Sequence, residues 1–462
     1  MATLPGTISR QLFGTDGIRG VAGEAPLDRR TAHALGVALG IWAKRASKKE
    51  SNGASAEVII GMDTRESGRW LAEQVAGGLA RAGVTARFAG VITTPGVAYL
   101  TRTGHFVAGV MISASHNPFH DNGLKVISHS GYKLADEVEL ELEQLMSDWL
   151  AKDEPAESKE LRVDPTLDNL YTDYLAGTVQ GEFPFRVAVD CANGSATEVA
   201  PRLFERLGLK SEWIGASPNG RNINLNCGSL HLETLQRRVQ ETGADLGVAF
   251  DGDADRALFV AGSGKVVDGD AVLFLVGSSL KRRGKLPGDL VVATVMSNLG
   301  LEKAFEERGI KMLRTPVGDK YVLEEMLKRG AVLGGEQSGH VIFSEYATTG
   351  DGILTALRVF EVLRDSGESL DGLVGAIRNF PQKLVNVRVK NKRPLAELQT
   401  VQAEIAAAER EFAAGGRVVV RFSGTEPLAR VMIEAESQQK VDEWSSRISD
   451  AIRAELGAAE SV

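Results

Sequence analysis

Short apolar runs rich in β-branched residues alternate with amphipathic segments along most of the chain. In three places a predicted strand leads into a predicted helix, and each helix is followed within two residues by a glycine. The strands are predicted at 58–62, 186–189 and 290–295, the helices at 68–81, 196–207 and 299–308, and the glycines are Gly83, Gly208 and Gly309. Glycine is favoured there because helices often end in the left-handed conformation. The alternation is typical of α/β layers.

A second strand in each of these three blocks runs directly into a polar loop. The apolar run and the start of its loop are 106–112 with Ser115, 246–250 with Asp251, and 331–333 with 334–340. We interpret this recurrence as three related α/β units. Because open α/β sheets bind ligands at the carboxyl ends of their strands, we expect these loops to carry the function.

Beyond residue 380 the pattern changes to a strand, a long helix, two strands and a second helix. These elements are predicted at 384–389, 395–413, 417–421, 429–434 and 439–456. The predicted fold class is α/β, with three related domains of mixed sheets and helices and a smaller C-terminal α+β domain. Charged, glycine-rich or proline-containing stretches separate them. The predicted domains are 1–155, 156–262, 263–380 and 381–462.

Composition and charge narrow the class of protein. The 462 residues have a formal net charge of −8 and 43% hydrophobic residues, which fits a soluble globular protein and argues against a nucleic-acid binder. No apolar run approaches the ~18 residues of a membrane span, and the N-terminal segment lacks the apolar core of a secretory signal. Two cysteines provide neither a disulfide framework nor a cysteine zinc site, so we expect reduced thiols and a cytoplasmic location.

Three aspartates alternate with small residues directly after an apolar run. In an extended loop, Asp251, Asp253 and Asp255 would project to one side, where their charges repel unless a cation lies among them. Carboxylate oxygens favour a hard ion, and Mg²⁺ is the usual partner of phosphates. An EF-hand is excluded because its sixth position would be Arg256 and its twelfth Gly262. Three solvated surface acids are the alternative interpretation.

Ser115 lies in a polar turn, followed by the donors of His116 and Asn117 and, further along, by Lys125. A serine that attacks phosphorus, or carries a phosphate itself, needs such donors and cations nearby. Arg19, in the glycine-rich stretch Phe-Gly-Thr-Asp-Gly-Ile-Arg-Gly, is a candidate to supply another cation. A helix cap or an ordinary turn is the alternative for each segment.

Two further loops carry side chains that suit a phosphorylated sugar. Arg421, Ser423 and Arg430 follow or flank a predicted strand, and such donors fit a phosphate dianion. Glu336 and Ser338 combine an acceptor with a donor, as sugar hydroxyls require. A polar hairpin turn and a structural glycine-rich loop are the alternatives. The loop 334–340 lacks the Gly-Lys-Ser/Thr ending of a P-loop, and the chain has no G-x-G-x-x-G dinucleotide motif.

Taken in order, these segments resemble the α-D-phosphohexomutase superfamily, with the best agreement in its phosphoglucosamine mutase branch. The agreement runs from the opening motif to Arg430, nearly the whole chain. The resemblance implies a central cleft, formed by three related α/β domains and a smaller C-terminal one, into which all four loops point. It also implies one Mg²⁺ ion, a phosphorylated serine, and a sugar 1,6-bisphosphate as intermediate and activator.

The resemblance assigns a role to each motif residue. Ser115 would carry the phosphoryl group, and Arg19, Lys125 and His340 would surround the reacting phosphate, with Lys125 as a general acid/base. The metal ligands would be Asp251, Asp253, Asp255 and an oxygen of phosphorylated Ser115. The substrate-binding residues would be Glu336 and Ser338 for the sugar hydroxyls, Arg256 near the reacting phosphate, and Arg421, Ser423, Gly424, Thr425 and Arg430 for the other phosphate.

Two positions depart from the family pattern. Ala254 stands where glycine is usual in the metal loop, and Phe422 stands where proline is usual in this branch. Alanine requires a negative φ or modest strain at that position. Because neither residue supplies a proposed ligand atom, we expect activity to persist.

The resulting hypothesis is the reversible conversion of D-glucosamine 6-phosphate to α-D-glucosamine 1-phosphate through a phosphoserine enzyme, feeding UDP-N-acetylglucosamine synthesis. Gln337 and the opening motif favour the amino sugar over the main alternative, a phosphomannomutase/phosphoglucomutase. A sugar-phosphate phosphatase and a catalytically silent sugar-phosphate sensor are further alternatives. The expected partner is a small hexosamine phosphate, with no nucleic acid and no membrane, and a homodimer fits the resemblance.

Overall fold

The chain folds into four β-sheets with helices packed against them. The structure is a computed structural model that describes residues 12–14, 16–50, 56–423 and 427–457, without the side chains of 47–50. The described sheets contain five, five, four and three strands in chain order, and we name the corresponding parts of the molecule domains I to IV. Three α/β domains and a smaller C-terminal domain confirm the predicted fold class.

Domain I is built around strand β4, which is buried at every position because it consists of apolar residues and glycine. Its elements are β1 Ile18–Val21, α1 Arg29–Glu50, β2 Glu57–Met62, α2 Gly68–Arg81, β3 Thr85–Val91, α3 Thr94–Thr103, β4 Ala108–Ile112, β5 Asp121–Ser128 and α4 Asp136–Leu150. The strand order is β1-β5-β4-β2-β3. Helices α1 and α2 approach closely at Gly36 and Gly78, where a Cβ would meet a backbone oxygen of the facing helix at 2.1 Å.

Domain II follows an irregular, charged connection. Its elements are α5 Pro165–Gly177, β6 Arg186–Asp190, α6 Ala196–Arg206, β7 Lys210–Ile214, α7 Glu233–Thr242, β8 Leu246–Phe250, β9 Ala257–Ala261 and β10 Val266–Val267. The strand order is β10-β9-β8-β6-β7. Strand β10 pairs with β9 across the boundary that the sequence predicted at residue 262.

Domain III shares its core with domain II, and the two α/β layers are joined by one continuous cluster of buried side chains from Tyr171 to Ile377. Its elements are α8 Gly269–Arg282, β11 Leu290–Thr294, α9 Leu299–Glu307, β12 Lys311–Thr315, α10 Asp319–Arg329, β13 Leu333–Gly335, β14 Val341–Phe343, α11 Gly352–Ser366 and α12 Leu370–Val374. The strand order is β12-β11-β13-β14.

Domain IV is an antiparallel three-stranded sheet with helices on it. Its elements are β15 Gln382–Arg388, α13 Gln399–Phe412, β16 Gly416–Phe422, β17 Leu428–Ala435 and α14 Gln438–Leu456, with strand order β15-β17-β16. Among the described residues, none of the helices combines the length and the apolar character that a bilayer crossing demands.

The first three sheets repeat one pattern of strand pairing, which fits the three related α/β units that the sequence predicted. In each, one strand lies between two parallel neighbours, and one of these neighbours continues into an antiparallel hairpin. The hairpins are β4–β5, β8–β9 and β13–β14. The three polar loops therefore occupy the same place in each repeat, the connection of the hairpin.

Most predicted elements are confirmed, including the three helix ends at Gly83, Gly208 and Gly309, whose φ angles are 71°, 69° and 65°. Strand β13 differs, because it begins at Leu333 and includes both following glycines. Gly334 packs against α10 so closely that a Cβ would meet Met326 Sδ at 2.5 Å. The glycines thus extend the strand instead of starting the loop.

Candidate active site

Ser115 and Asp251, which lie on the hairpin loops of two different domains, meet in the structure. Ser115 is 2% exposed and has a left-handed backbone, with φ of 52°. Its Oγ donates a hydrogen bond to Asp251 Oδ2 at 2.5 Å. The predicted juxtaposition of a hydroxyl and the acidic loop is therefore observed between domains I and II.

The three aspartates form a compact cluster, although the predicted extended loop is wrong. The segment is a turn, in which the Ala254 amide donates to the Asp251 carbonyl at 3.1 Å. One carboxylate oxygen from each of Asp251, Asp253 and Asp255 lies within 4.8 Å of the others. Asp251 and Asp253 are fully buried and the Asp255 side chain is 13% exposed. Ala254 adopts a φ of 55°, so the strained option foreseen for alanine is the one the chain takes.

The charges of this trio are only partly compensated by the protein. Burial, followed by repulsion from Asp255 and Asp253, raises the pKa of Asp251 well above its usual range. Burial also acts to raise the pKa of Asp253, but Lys125 outweighs it and the pKa is lowered. Oδ1 of Asp253 and Oδ1 of Asp255 are buried and have no hydrogen-bond partner among the described residues. Unpaired oxygens in a buried, all-carboxylate set fit a hard divalent cation.

Lys125 on β5 connects the trio to the N-terminal loop. Its Nζ lies 2.7 Å from Asp253 Oδ2 and 3.2 Å from Asp16 Oδ2, and the side chain is 6% exposed. Burial acts to lower the pKa of Lys125, but Asp16 and Asp253 outweigh it and raise the pKa. The amine is therefore held as an ammonium. Thr94 also donates a hydrogen bond to Asp253 Oδ2.

A cavity of about 460 Å³ opens next to these groups and is lined by domains I, II and III. Its polar lining includes Asp16, Arg19, His116, Asp255, Arg256, Glu336 and His340. Arg19 forms an ion pair with Asp16. Burial, then Arg256 and Arg19, lower the pKa of His116. A cluster of guanidinium groups beside acidic ligands is the environment that an incoming phosphate dianion requires.

Two of the predicted residues in the hairpin loop of domain III, Glu336 and His340, line the cavity, and Ser338 does not. Glu336 Oε1 accepts a hydrogen bond from the Gly318 amide at 3.1 Å. Ser338 Oγ is buried without a hydrogen-bond partner in the described structure. His340 Nε2 accepts from the Gly350 amide at 3.2 Å. Gln337 instead donates to Asp268 at 3.2 Å.

The phosphate loop of domain IV is a part of the predicted site that does not line this cavity. Arg421 and Arg430 face each other across β16 and β17. Burial, then Arg430, lower the pKa of Arg421. The Ser423 carbonyl accepts a hydrogen bond from Lys392 at 2.6 Å. Arg421, Ser423 and Arg430 are not among the described residues that line the cavity, and Gly424 and Thr425 lie outside the described residues.

An ionic network on the cavity wall was not predicted from the sequence. Lys133 Nζ bridges Asp16 Oδ1 at 2.8 Å and Asp319 Oδ2 at 2.7 Å, which joins domain I to the start of α10. Asp16 stands in the opening glycine-rich motif, so an acid in that loop was a usable signal. Lys133 and Asp319 carried none, because their meeting depends on how two domains pack.

Comparison with known protein families identifies the family to which the chain belongs. Four family models match consecutive parts of the chain: Phosphoglucomutase/phosphomannomutase alpha/beta/alpha domains I, II and III at 10–152, 169–264 and 268–380, and the C-terminal domain at 384–451. The chain belongs to this phosphohexomutase family. The four matches follow the order of the four sheets.

Comparison with curated relatives identifies the branch of the family to which the chain is most similar among those compared. A phosphoglucosamine mutase from Solibacter usitatus is 58% identical over 97% of this chain and 100% of its own length. Another from Koribacter versatilis is 53% identical over 97% of this chain and 98% of its own length. Within the family, the chain therefore groups with the phosphoglucosamine mutases, which are isomerases.

Solved structures of the family share the architecture. A phosphoglucomutase/phosphomannomutase family protein from Burkholderia thailandensis superposes with a TM-score of 0.80 at 24% identity, covering 98% of this chain and 99% of the other. An Aspergillus fumigatus N-acetylphosphoglucosamine mutase in complex with GlcNAc-6P and magnesium gives a TM-score of 0.65 at 20% identity, covering 96% of each chain. At these identities the likeness concerns the phosphohexomutase fold.

Proposed function

We propose that this phosphohexomutase interconverts D-glucosamine 6-phosphate and α-D-glucosamine 1-phosphate through phosphorylated Ser115 and the sugar 1,6-bisphosphate. The observation that carries the proposal is the hydrogen bond from Ser115 Oγ to Asp251, within a buried acidic trio of a second domain. A hydroxyl is poised there for exchange of a phosphoryl group under electrostatic control. The full-length similarity to phosphoglucosamine mutases supports the choice of the amino sugar.

One Mg²⁺ ion would be held by Asp251, Asp253, Asp255 and an oxygen of the phosphoryl group on Ser115. The two unpartnered carboxylate oxygens in the trio support this assignment. When bound, the ion neutralises negative charge on the phosphoryl group during transfer. Lys125 is held as an ammonium beside the trio and serves as the proposed general acid/base.

The proposed reaction has two phosphoryl transfers, the first from Ser115 to the sugar and the second from the sugar back to Ser115. In the first, the bond between phosphorus and Ser115 Oγ breaks, a bond from phosphorus to the sugar O1 forms, and the proton of O1 passes to the protein as Oγ is reprotonated. The bisphosphate then turns in the cleft and returns its 6-phosphoryl group to Oγ. Arg19 and Arg256, which line the cavity, are placed to neutralise the reacting phosphate, and His340 lines the same cavity beside them.

The sugar itself would be held by groups from domains III and IV. Glu336 and the unpartnered Ser338 hydroxyl suit two neighbouring sugar hydroxyls. Arg421, Ser423, Gly424, Thr425 and Arg430 would bind the phosphate that is not reacting. A separate anchor for that phosphate lets one site accept either end of the sugar, which a mutase requires.

The direct test compares Ser115→Ala with wild type on the 6-phosphates of glucosamine, glucose and mannose. We expect the wild type to prefer glucosamine 6-phosphate in kcat/KM, and Ser115→Ala to lose nearly all turnover because no phosphoryl donor remains. Ser217→Ala, at an exposed position of domain II, is the control and should remain active. Full activity of Ser115→Ala would exclude the scheme.

The same assay separates the alternatives. A preference for glucose or mannose phosphate identifies a phosphoglucomutase or phosphomannomutase, to which the matching family models also refer. Release of inorganic phosphate without isomerisation identifies a phosphatase.

We further propose a cytoplasmic location and a homodimer. The location is supported by Cys191 and Cys227, which are both free and buried. The dimer is supported by the family resemblance, and light scattering coupled to size exclusion would measure it.

A further inference from the structure

The loop that carries Ser115 is held by a buried arginine that the proposed reaction does not use. Arg65 follows β2, and its side chain is fully buried. Nη2 donates to the carbonyl oxygens of Ser115 at 2.9 Å and Asn117 at 2.8 Å. Nη1 donates to the carbonyl oxygens of Pro118 and, at 3.1 Å, Asp121. One guanidinium thus fixes four carbonyl groups along the whole loop.

Asp63 and Ser113 complete this support. Asp63 Oδ2 accepts from Arg65 Nε at 2.9 Å and from Ser113 Oγ at 2.6 Å. Ser113 Oγ in turn accepts from the Ser115 amide at 2.9 Å. The amide and the carbonyl of Ser115 are therefore both restrained, as a non-glycine residue with positive φ requires.

A second residue holds the same carbonyl groups from domain II. Asn224 Nδ2 donates to the carbonyl oxygens of Ser115 at 2.9 Å and Asn117 at 3.0 Å. Gly252, in the aspartate loop, approaches so closely that a Cβ would meet the Ser115 carbonyl oxygen at 2.4 Å. The carbonyl of Ser115 is thus enclosed by Arg65 of its own domain and by two elements of domain II.

We propose that Arg65 and Asn224 are positioning residues for the Ser115 nucleophile, and that Asn224 aligns the Ser115 loop with the aspartate trio across the boundary between domains I and II. The inference rests on the proposed phosphoryl transfer at Ser115. Both side chains act through backbone carbonyl groups. A displacement of Oγ by about 1 Å is sufficient to slow a phosphoryl transfer by about 100-fold, because the reacting atoms lose their alignment.

Asn224→Gly is the sharpest variant. Asn224 has a φ of 58°, which glycine adopts without strain, so the substitution removes the two donors and leaves the backbone. Asn226 lies in the same loop, is exposed and has a φ of 53°, so Asn226→Gly is a matched control. Asn224→Asp keeps the shape of the side chain, replaces the donors by acceptors, and serves as the second variant.

The measurement is steady-state kinetics of the full-length protein with glucosamine 6-phosphate and a catalytic amount of its 1,6-bisphosphate. We expect Asn224→Gly and Asn224→Asp to lose about tenfold or more in kcat, with KM within about twofold of the control, since no sugar ligand is altered. Asn226→Gly should match the wild type.

The inference is overturned if Asn224→Gly and Asn224→Asp retain the kcat of Asn226→Gly, or if only KM rises. Ser115→Ala is assayed in parallel. An inactive Ser115→Ala with fully active Asn224 variants contradicts the positioning role alone, whereas an active Ser115→Ala removes the proposed function itself.

Discussion

Two of the non-glycine residues with positive φ lie where the two central loops meet. Ser115 and Ala254 have φ angles of 52° and 55°. A left-handed conformation costs a non-glycine residue roughly 1–2 kcal/mol and persists only where the surroundings impose it. Here the neighbouring domains impose it, since Ser115 is held from both sides and the Ala254 carbonyl accepts from the Gly352 amide at 2.9 Å.

Ala254→Gly tests whether this departure from the family pattern matters. The substitution relieves roughly 1 kcal/mol of strain, but it removes a buried methyl group worth about 0.8 kcal/mol and adds flexibility to the unfolded chain. We expect the free energy of unfolding, measured by urea denaturation, to change by no more than about 1 kcal/mol, with kcat nearly unchanged. A large loss of kcat would show that the Cβ sets the geometry of the aspartates.

Metal binding at the trio is measurable without turnover. We expect Mg²⁺ to raise the melting temperature of the wild type, because the ion binds only the folded cluster. At a concentration ten times its Kd, the ion should increase the free energy of unfolding by about 1.4 kcal/mol. Asp253→Asn should lose this response. Asp148→Asn, at an exposed position of α4, is the control and should keep it. An equal response of both variants places the ion elsewhere.

The sequence could single out Ser115 and the aspartates because polar residues directly after a buried strand are unusual. It could not single out Arg65 or Asn224, whose role depends on contacts with a loop about 50 and 110 positions away. Both side chains act as donors to backbone carbonyl groups, and no sequence motif indicates such contacts.

At the scale of elements, helix α11 begins at a buried acid that connects domains II and III. Asp351 Oδ1 accepts from the Leu354 amide at 2.9 Å, and Tyr171 of α5 donates to Oδ2 at 2.7 Å. Burial raises the pKa of Asp351 to about 6. The folded protein therefore binds this proton more tightly than the unfolded chain does.

The consequence is a defined dependence of stability on pH. The contribution of the Asp351 proton to the free energy of unfolding is fully present below pH about 4. It is lost as the pH rises through about 6, which changes the free energy of unfolding by an amount on the order of 3 kcal/mol. Asp351→Asn keeps the cap acceptor and should flatten the fall in the free energy of unfolding between these pH values. An unchanged slope would contradict the assignment.

Periodicity and glycine positions predict most elements well. Strand β8 was predicted at the bounds observed, and the three related α/β units followed from the order of strands and loops. The aspartate turn was not predictable, because the φ of Ala254 is imposed by packing from α11 and not by its neighbours in sequence.

At the scale of the whole molecule, an ion pair inside domain IV takes part in the attachment of this domain to domain III. Arg417 of β16 pairs with Glu434 of β17, whose side chain is fully buried, and donates to the Val295 carbonyl of domain III at 3.0 Å. Glu434 Oε1 accepts from the Leu299 amide at 2.9 Å. Both members of the pair therefore contact domain III and help to hold domain IV against it.

Arg417→Met tests this attachment. Removing one partner leaves the buried charge of Glu434 uncompensated, which costs about 3–5 kcal/mol. We expect faster amide hydrogen exchange in β16 and β17 and little change in domain I. Arg453→Met, which breaks an exposed pair with Asp450, should change stability by no more than about 0.5 kcal/mol. Equal exchange in both variants would show that domain IV is held by other contacts.

The docking of domains could not be predicted from the sequence. The four domains and their order followed from the change of pattern along the chain, but the shared core of domains II and III and the Lys133 bridge join residues far apart in sequence. Such contacts depend on the shape complementarity of the folded domains, and the periodicity of hydrophobic residues does not predict it.

Exchange of a phosphoryl group between Ser115 and a hexosamine phosphate is the step on which the proposed function depends. It is tested most directly by incubating the protein with a sugar 1,6-bisphosphate, locating the phosphoryl group by peptide mass spectrometry, and then adding glucosamine phosphate. We expect a single phosphoryl group on Ser115 that is lost to the sugar. A phosphoryl group at another residue, or one that stays on Ser115 while the sugar turns over, contradicts it.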